Sequence, residues 1–381
     1  MNSADASVVR RIVKQLSYTC PARLFRYFRR RLRRRDIQAI KEHYGADLPK
    51  RRVRRMAARM RHAFLCDGWD RASYLTFHYD LLSRQGRKTY LSDIQKDMVA
   101  YRLNSPEVFR VLDDKMATYA RYGAYFRRDL CQVSSAQCDR AALEQFLSRH
   151  KTCIVKPNFS SCGEGVQIVR DATVDSILRL AQAHPAGVVL EELIEQGEAM
   201  AAVYPLSVNT VRLHTVVAAG RAHILRPIAR FGRGGNIVDN GAQGGLLAAV
   251  DLDTGVVTYV CDTKATPFVI HPDTGVVLPG LRIPRWEEAK QLALELAAVW
   301  PEARYVGWDL AYTDSGWVLV EGNSRGQQIG QQLTYRSGIV EELEAVVPGC
   351  LKPWAAWAWQ QWRGRKSGRM ADSRSNAIKG Q

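Results

Sequence analysis

No run in this sequence is both apolar enough and long enough to span a bilayer, and the opening MNSADASVVRRIVKQLSYTC lacks the apolar core of a signal peptide. The eight cysteines never fall in C-x-x-C spacing, which argues against a zinc ribbon or a disulfide framework. A reducing, cytoplasmic setting is therefore expected. No G-x-x-x-x-G-K-[ST] phosphate loop occurs, and neither D-F-G nor H-R-D. FGRGGN has glycines but not Rossmann spacing. No Ser-His-Asp or Cys-His pairing stands out, so covalent enzyme catalysis is not suggested. No stacking-aromatic module supports nucleic acid as a partner.

Acidic residues are scarce in one place. Residues 1–61 hold 19 Lys/Arg against 4 Asp/Glu, a net of +15, while the whole chain is +17. The protein reads as a near-neutral body with a basic arm. LFRYFRRRLRRRD and KRRVRRMAARMRHAF interleave arginine with Leu, Phe, Met and Val. Such helices suit an anionic membrane surface at its cytoplasmic face, with Phe25, Phe28 and Leu32 available for shallow insertion. The plain alternative is a solvated helix face.

The 381 residues suit two or three domains, or one core with appendages. Residues 1–105 read as a basic helical region. A helix opened by Ser105-Pro106 follows, running through DDKMATYARYGAYF. Apolar segments then alternate with turns, including strand pairs around Ala219-Gly220 and around Asp253-Thr254-Gly255. RWEEAKQLALELAAVW has clear helical periodicity. The class is α+β with mostly antiparallel strands. KPWAAWAWQQW reads as a docked helix or an interfacial anchor, and the tail from about 363 as disordered.

The stretch YVGWDLAYTDSGWVLVEGN is a hairpin around Asp314-Ser315-Gly316. A three-residue loop pairs Thr313 with Trp317 and sets Asp309 opposite Glu321. Like charges facing each other across a sheet are destabilising. Protonation, an intervening cation or a different register would relieve them. Asn323 shares the face of Glu321. Two carboxylates and an amide oxygen form a hard site suited to Mg²⁺ with nucleotide phosphates; a strand-end Glu and a turn Asn are the bland alternative.

IVKPNFSSCGEGVQIV places Lys156 at a strand end, Pro157 after it, and small residues from Ser160 to Gly165. Backbone N–H groups in such a loop can approach phosphate, and the lysine offers a point charge. A plain hairpin with an interfacial lysine is the alternative.

The order of these segments resembles the ATP-grasp superfamily, from about Leu112 to Ile329. That superfamily includes D-alanine–D-alanine ligase, carbamoyl-phosphate synthetase and the ribosomal-protein glutamate ligases. The resemblance implies two α/β subdomains gripping ATP, here preceded by the basic helices. It implies boundaries of 1–105 for the basic region, 106–190 and 191–345 for the two subdomains, and 346–381 for the Trp-rich segment and tail. By resemblance Lys115 touches phosphate or adenine. Lys156 is the second lysine, and Ser160, Ser161, Gly163 and Gly165 belong to the lid over the phosphates. VLEELIEQGE matches the hinge: Glu192, Leu193 and Ile194 meet adenine, and Glu198 holds the ribose. Asp309, Glu321 and Asn323 match the metal set, for two Mg²⁺ ions or Mn²⁺. More narrowly, SVNTVRLHTV, VDNGAQGGLLAAVDLDTG and LVEGNSRG look like the sugar-transfer-associated group, predicted to act in cell-surface polysaccharide biosynthesis. The SRGQQ after Asn323 departs from the Pro-Gly of many ligases, and the usual N-terminal α/β subdomain is not evident.

The resemblance implies activation of a carboxylate as an acyl phosphate, then attack by an amine. The residues suit phosphoryl transfer by positioning and charge neutralisation. Arg212 would stabilise the transferred group, with Lys156, Arg230 and Asn240 contributing; a strand arginine paired with a core acid is the alternative for Arg212. His214 reads as a satisfied core histidine. Two other classes stay open. One is a kinase acting on a sugar or lipid-linked glycan hydroxyl, and the other is a nucleotide-binding scaffold without activity.

Overall fold

The computed structural model describes residues 35–134, 139–160, 163–237, 239, 241–326 and 328–351. The arginine run of 23–34, the Trp-rich segment and the tail lie outside them. The chain divides into two units, Met1–Leu75 with Val347–Gln381, and Thr76–Val346.

In the first unit, the helix Lys50–Asp67 begins after Pro49 and ends at the left-handed Gly68. Val53, Met56, Ala57, Met60 and Ala63 recur every three or four residues and are buried. Lys50, Arg51, Arg52, Arg54, Arg55 and Arg59 stay exposed. The helix is amphipathic, with its apolar stripe already covered. Within the same unit the buried Asp36 accepts from Arg71 Nε at 3.1 Å and NH2 at 2.9 Å.

The second unit is built on two antiparallel sheets. Its opening helices are marked by their caps. Ser92 and Gln95 form a capping box before Asp93–Leu103, and Ser105 caps Pro106–Leu112 with Pro106 in the first turn. The single helix expected from Ser105 onward is two. Asp114 leaves the helical region and accepts from the Ala117 N–H at 3.0 Å, so a new helix starts at Lys115 and runs to Phe126.

The smaller sheet has β1 (Leu130–Val133), β2 (Cys153–Pro157), β3 (Gln167–Val169) and β4 (Val188–Glu191), in the order β1-β4-β2-β3. Val155 and Leu190 pack with Leu143, Phe146 and Ile177 from helices Arg140–Arg149 and Val174–Gln182.

The larger sheet has β5 (Thr210–Ala218), β6 (Arg221–Phe231), β7 (Leu246–Val250), β8 (Val257–Cys261), β9 (Tyr305–Thr313) and β10 (Gly316–Asn323). Their order is β10-β9-β5-β6-β7-β8. Ala219 and Gly220 both take positive φ, as a tight two-residue hairpin turn requires. Alternation decides what each face does. Val211, Leu213, Trp308, Leu310, Trp317 and Leu319 join one core with Ala293 and Leu296 of the helix Trp286–Val299. The other face carries the polar set, because Thr210, Arg212, His214 and Asp309 fall between those apolar positions.

The β9–β10 hairpin corrects the expected register. The loop is two residues, Asp314-Ser315, and Thr313 pairs with Gly316 rather than Trp317. A bulge between Leu319 and Glu321 leaves Val320 unpaired and restores Glu321 to a place opposite Asp309.

Candidate active site

The centre of the larger sheet carries a ladder of charge. Arg212 lies opposite Asp309 across β5 and β9, and Glu321 opposite Asp309 across β9 and β10. Arg212 donates to both oxygens of Asp309, Nε to Oδ1 and NH2 to Oδ2, each at 2.6 Å. Arg230 NH2 reaches the same Oδ2 at 2.9 Å. Two guanidinium groups of the protein thus already pair with Asp309. Burial would raise the Asp309 carboxyl, but Arg212 and Arg230 outweigh it and hold it well below the ordinary range. Glu321 moves the other way, raised by desolvation and by the neighbouring Asp309 charge. Its side chain nevertheless remains 47% exposed. Asn323 Nδ2 lies 3.3 Å from both Asp309 Oδ2 and Glu321 Oε1, and its amide oxygen has no hydrogen bond among the described residues.

Two further groups support this ladder. Asp239 accepts from the Thr210 N–H at 3.1 Å and from its hydroxyl at 2.5 Å, and Thr210 Oγ1 in turn accepts from Arg230. His214 is fully buried, with Gln331 on Nδ1, and burial together with Arg212 lowers it to about 3. It is a neutral core histidine at physiological pH. Asn240 lies outside the described residues.

The smaller sheet carries a second carboxylate between two cations. Glu191 ends β4 and is 3% exposed. Its Oε1 meets Lys156 Nζ at 2.8 Å, and its Oε2 meets Arg128 NH2 at 2.6 Å. Burial would raise this carboxyl, but Arg128 and Lys156 hold it at about 2. Arg128 also donates to the Leu319 carbonyl at 2.6 Å, tying this group to the bulge in β10.

Lys115 opens its helix and turns onto the small-residue loop. Its Nζ donates to the Ser160 carbonyl at 2.9 Å, the Ser160 hydroxyl at 3.1 Å and the Asn158 carbonyl at 3.3 Å. Burial lowers its pKa. Gly163 and Gly165 both take positive φ, and a Cβ at Gly165 would sit 2.8 Å from Pro157 Cγ. Ser161 lies outside the described residues.

The expected hinge leaves β4 at Glu192, whose N–H donates to the Asp129 carbonyl at 2.9 Å. A cavity of about 300 Å³ brings Glu192, Leu193 and Ile194 together with Arg127, Arg128 and Val318. Glu198 does not line it. It stands exposed at the start of the short helix Glu198–Ala201, after Gly197, where a Cβ would meet the Tyr312 ring at 2.7 Å. Lys156 and the glycine loop do not line this cavity either.

The sequence reading missed Glu191, Arg128, Thr210 and Asp239. Glu191 carried the same signal that exposed Glu321, an acid closing a buried strand. Arg128 gave none, since its partners lie 63 and 191 positions away.

A family model described as sugar-transfer associated ATP-grasp matches residues 95–347. No curated protein matches. Among solved structures, the ATP-grasp ligase PsnB complexed with minimal precursor is 15% identical, over 64% of this chain and 63% of its own, with a TM-score of 0.38. D-alanine–D-alanine ligase from Bacillus anthracis complexed with ATP is 13% identical, over 64% and 68%, at 0.39. N5-carboxyaminoimidazole synthetase from Staphylococcus aureus complexed with ADP is 11% identical, over 64% and 54%, at 0.41. The match therefore spans less than two thirds of PsnB.

Proposed function

Because the chain belongs to the sugar-transfer-associated ATP-grasp family, we propose that it is an ATP- and Mg²⁺-dependent carboxylate–amine ligase modifying a cell-surface polysaccharide or its precursor. The observation that carries this reading is a repeated charge arrangement. Glu191 sits between Arg128 and Lys156, and Asp309 between Arg212 and Arg230. The Glu191 group keeps one positive charge in excess, while the two arginines at Asp309 also face Asp239, 3.5 Å from Arg230, and Glu321. A surplus such as that beside Glu191 suits a polyphosphate, and the guanidinium groups beside Asp309 suit the charge that develops during phosphoryl transfer.

The donor set fits a hard cation. Glu321 is exposed, the amide oxygen of Asn323 has no hydrogen bond among the described residues, and Asp309 adjoins both. These three residues would hold Mg²⁺, as one ion or two, with Mn²⁺ an acceptable substitute. Bound there, the metal would supply charge neutralisation for the phosphates. Lys115 and Lys156 would address the phosphates from the loop side, with Ser160, Ser161, Gly163 and Gly165. Glu192, Leu193 and Ile194 would receive adenine through backbone groups, and Glu198 the ribose. Arg212, Arg230 and Asn240 would orient the transferred group. The division into subdomains 106–190 and 191–345 belongs to the same proposal.

Hydroxylamine separates this ligase from the kinase alternative. It attacks acyl phosphates and leaves phosphate monoesters intact. With ATP, Mg²⁺ and a cognate carboxylate, a hydroxamate should form without any amine. ADP formation with phosphate retained on an acceptor hydroxyl, and no hydroxamate, favours a kinase. Nucleotide binding without any ADP formation, across carboxylate and sugar pools, favours a scaffold.

The basic arm is proposed to bring the enzyme to an anionic membrane surface at the cytoplasmic face. Since the apolar stripe of Lys50–Asp67 is buried, this helix would contribute charge, about 1 kcal/mol per basic residue near the surface. Binding to anionic vesicles should fall steeply with salt. Equal binding to neutral vesicles would defeat the idea.

A further inference from the structure

We infer that Arg212 and Arg230 gate the metal side of the site: they hold Asp309 until nucleotide phosphates draw them away, so a divalent cation gains Asp309 only with phosphate present. The inference rests on the nucleotide reading above and concerns the order in which its ligands can enter.

An ionised carboxylate offers about four lone-pair directions. Asp309 already has four nitrogens against it: Arg212 Nε on Oδ1 at 2.6 Å, and on Oδ2 Arg212 NH2 at 2.6 Å, the ion-paired Arg230 NH2 at 2.9 Å and Asn323 Nδ2 at 3.3 Å. Its side chain has no exposed surface. A cation arriving alone finds a guanidinium nitrogen on each Asp309 oxygen and two guanidinium charges beside it. Arg212 NH2 also stands 3.9 Å from Glu321 Oε1, so the repulsion extends to the most accessible ligand.

Phosphate changes this balance. Its oxygens are strong partners for a guanidinium fork. Arg212 turning to phosphate frees Oδ1, and Arg230 turning to phosphate lightens the load on Oδ2, in each case where the positive charge beside it has been neutralised. Guanidinium and metal thus exchange partners across one carboxylate. Arg230 is supported independently by Thr210 Oγ1, which accepts from its Nε at 2.9 Å and its NH2 at 2.8 Å. It can therefore leave Asp309 without losing every partner.

The test is titration of the nucleotide-free full chain with Mn²⁺, reading bound metal by electron paramagnetic resonance. Unaltered protein should bind weakly. Arg212→Lys keeps a charge but cannot fork, and should tighten Mn²⁺ binding on the order of tenfold, one charge-assisted contact. Adding Asp309→Asn to that variant should remove the gain. Equal Mn²⁺ affinity in unaltered and Arg212→Lys protein overturns the gate, as does a gain that survives Asp309→Asn. Should Arg212→Lys fail to fold by circular dichroism, Arg230→Lys should tighten Mn²⁺ binding by a smaller factor, since the Arg212 fork still holds both Asp309 oxygens, and equal affinity again overturns the gate. An unaltered chain with no thermal shift on adding ADP strikes the nucleotide reading itself, and the gate falls with it.

Discussion

Glu191 and Asp309 are each a buried carboxylate between two cations, yet their surroundings make them different devices. Around Glu191 the cations are Lys156 from the adjacent strand and Arg128 from the turn before β1, and the latter continues to the β10 backbone. The group is closed and joins two sheets. Around Asp309 both cations come from the sheet face itself, and the half-exposed Glu321 stands beside it. A like pairing of one carboxylate with two cations gives a tie in one place and an open-sided site in the other. Burial of the carboxylate does not distinguish them. Access to a neighbouring exposed carboxylate does.

Substitution at Glu321 breaks this comparison most severely. Glu321→Gln should lower turnover by about 10²–10³, the scale for losing one charged contact in phosphoryl transfer. Its stability should stay within about 1 kcal/mol of the unaltered protein, because the charge facing Asp309 is removed along with the ligand. Retained activity with lost stability, measured by steady-state kinetics and urea denaturation, would make Glu321 structural.

Arg128→Met should show the opposite pattern. It leaves Glu191 with one cation and unties β10, and breaking a buried pair costs about 3–5 kcal/mol. The unfolding midpoint in urea should fall accordingly. An unchanged midpoint would mean that Lys156 alone satisfies Glu191.

Acid sharpens the contrast with a smaller effect. Glu191 titrates at about 2 in the folded chain against an ordinary value of 4.5. Its stabilisation is therefore complete above about pH 4.5 and lost as pH falls toward 2. At about 1.4 kcal/mol per unit, the loss is on the order of 3 kcal/mol. Glu191→Gln should flatten that part of the stability curve, followed by denaturation at stepped pH. An identical slope in the variant would assign the acid sensitivity to other carboxylates.

How much of this was legible in the sequence depended on range. Asp309, Glu321 and Asn323 lie within one hairpin, so loop register could set Asp309 opposite Glu321 and alternation put Asn323 on the face of Glu321. Their pairing was read from a three-residue loop, whereas a two-residue loop and a bulge produce it. Two local errors of one residue cancelled, because backbone geometry at turns and bulges is set by packing around them. The helix break at Asp113-Asp114 was local too, and a cap residue in mid-pattern could have shown it. Arg128 was out of reach, since nothing near it in sequence names Glu191 or Leu319 as a partner. Arg212 was singled out correctly as a strand arginine, but its fork onto Asp309 needed the alignment of β5 with β9, some 97 positions apart.

The unpaired Val320 has a mechanical meaning. Deleting it would still leave Glu321 opposite Asp309, since the loop already sets Leu310 against Leu319. The extra residue is therefore not an alignment device. What it adds is a kink where the Leu319 carbonyl, with that of Val320 at 3.4 Å, meets the guanidinium of Arg128. Arg128 is the lever on that kink, and its far end is fixed to Glu191. A pull on Lys156 by an incoming anion would thus travel through Glu191 and Arg128 to the backbone next to Glu321. Arg128 joins the two sheets through the carbonyls of Leu319 and Val320.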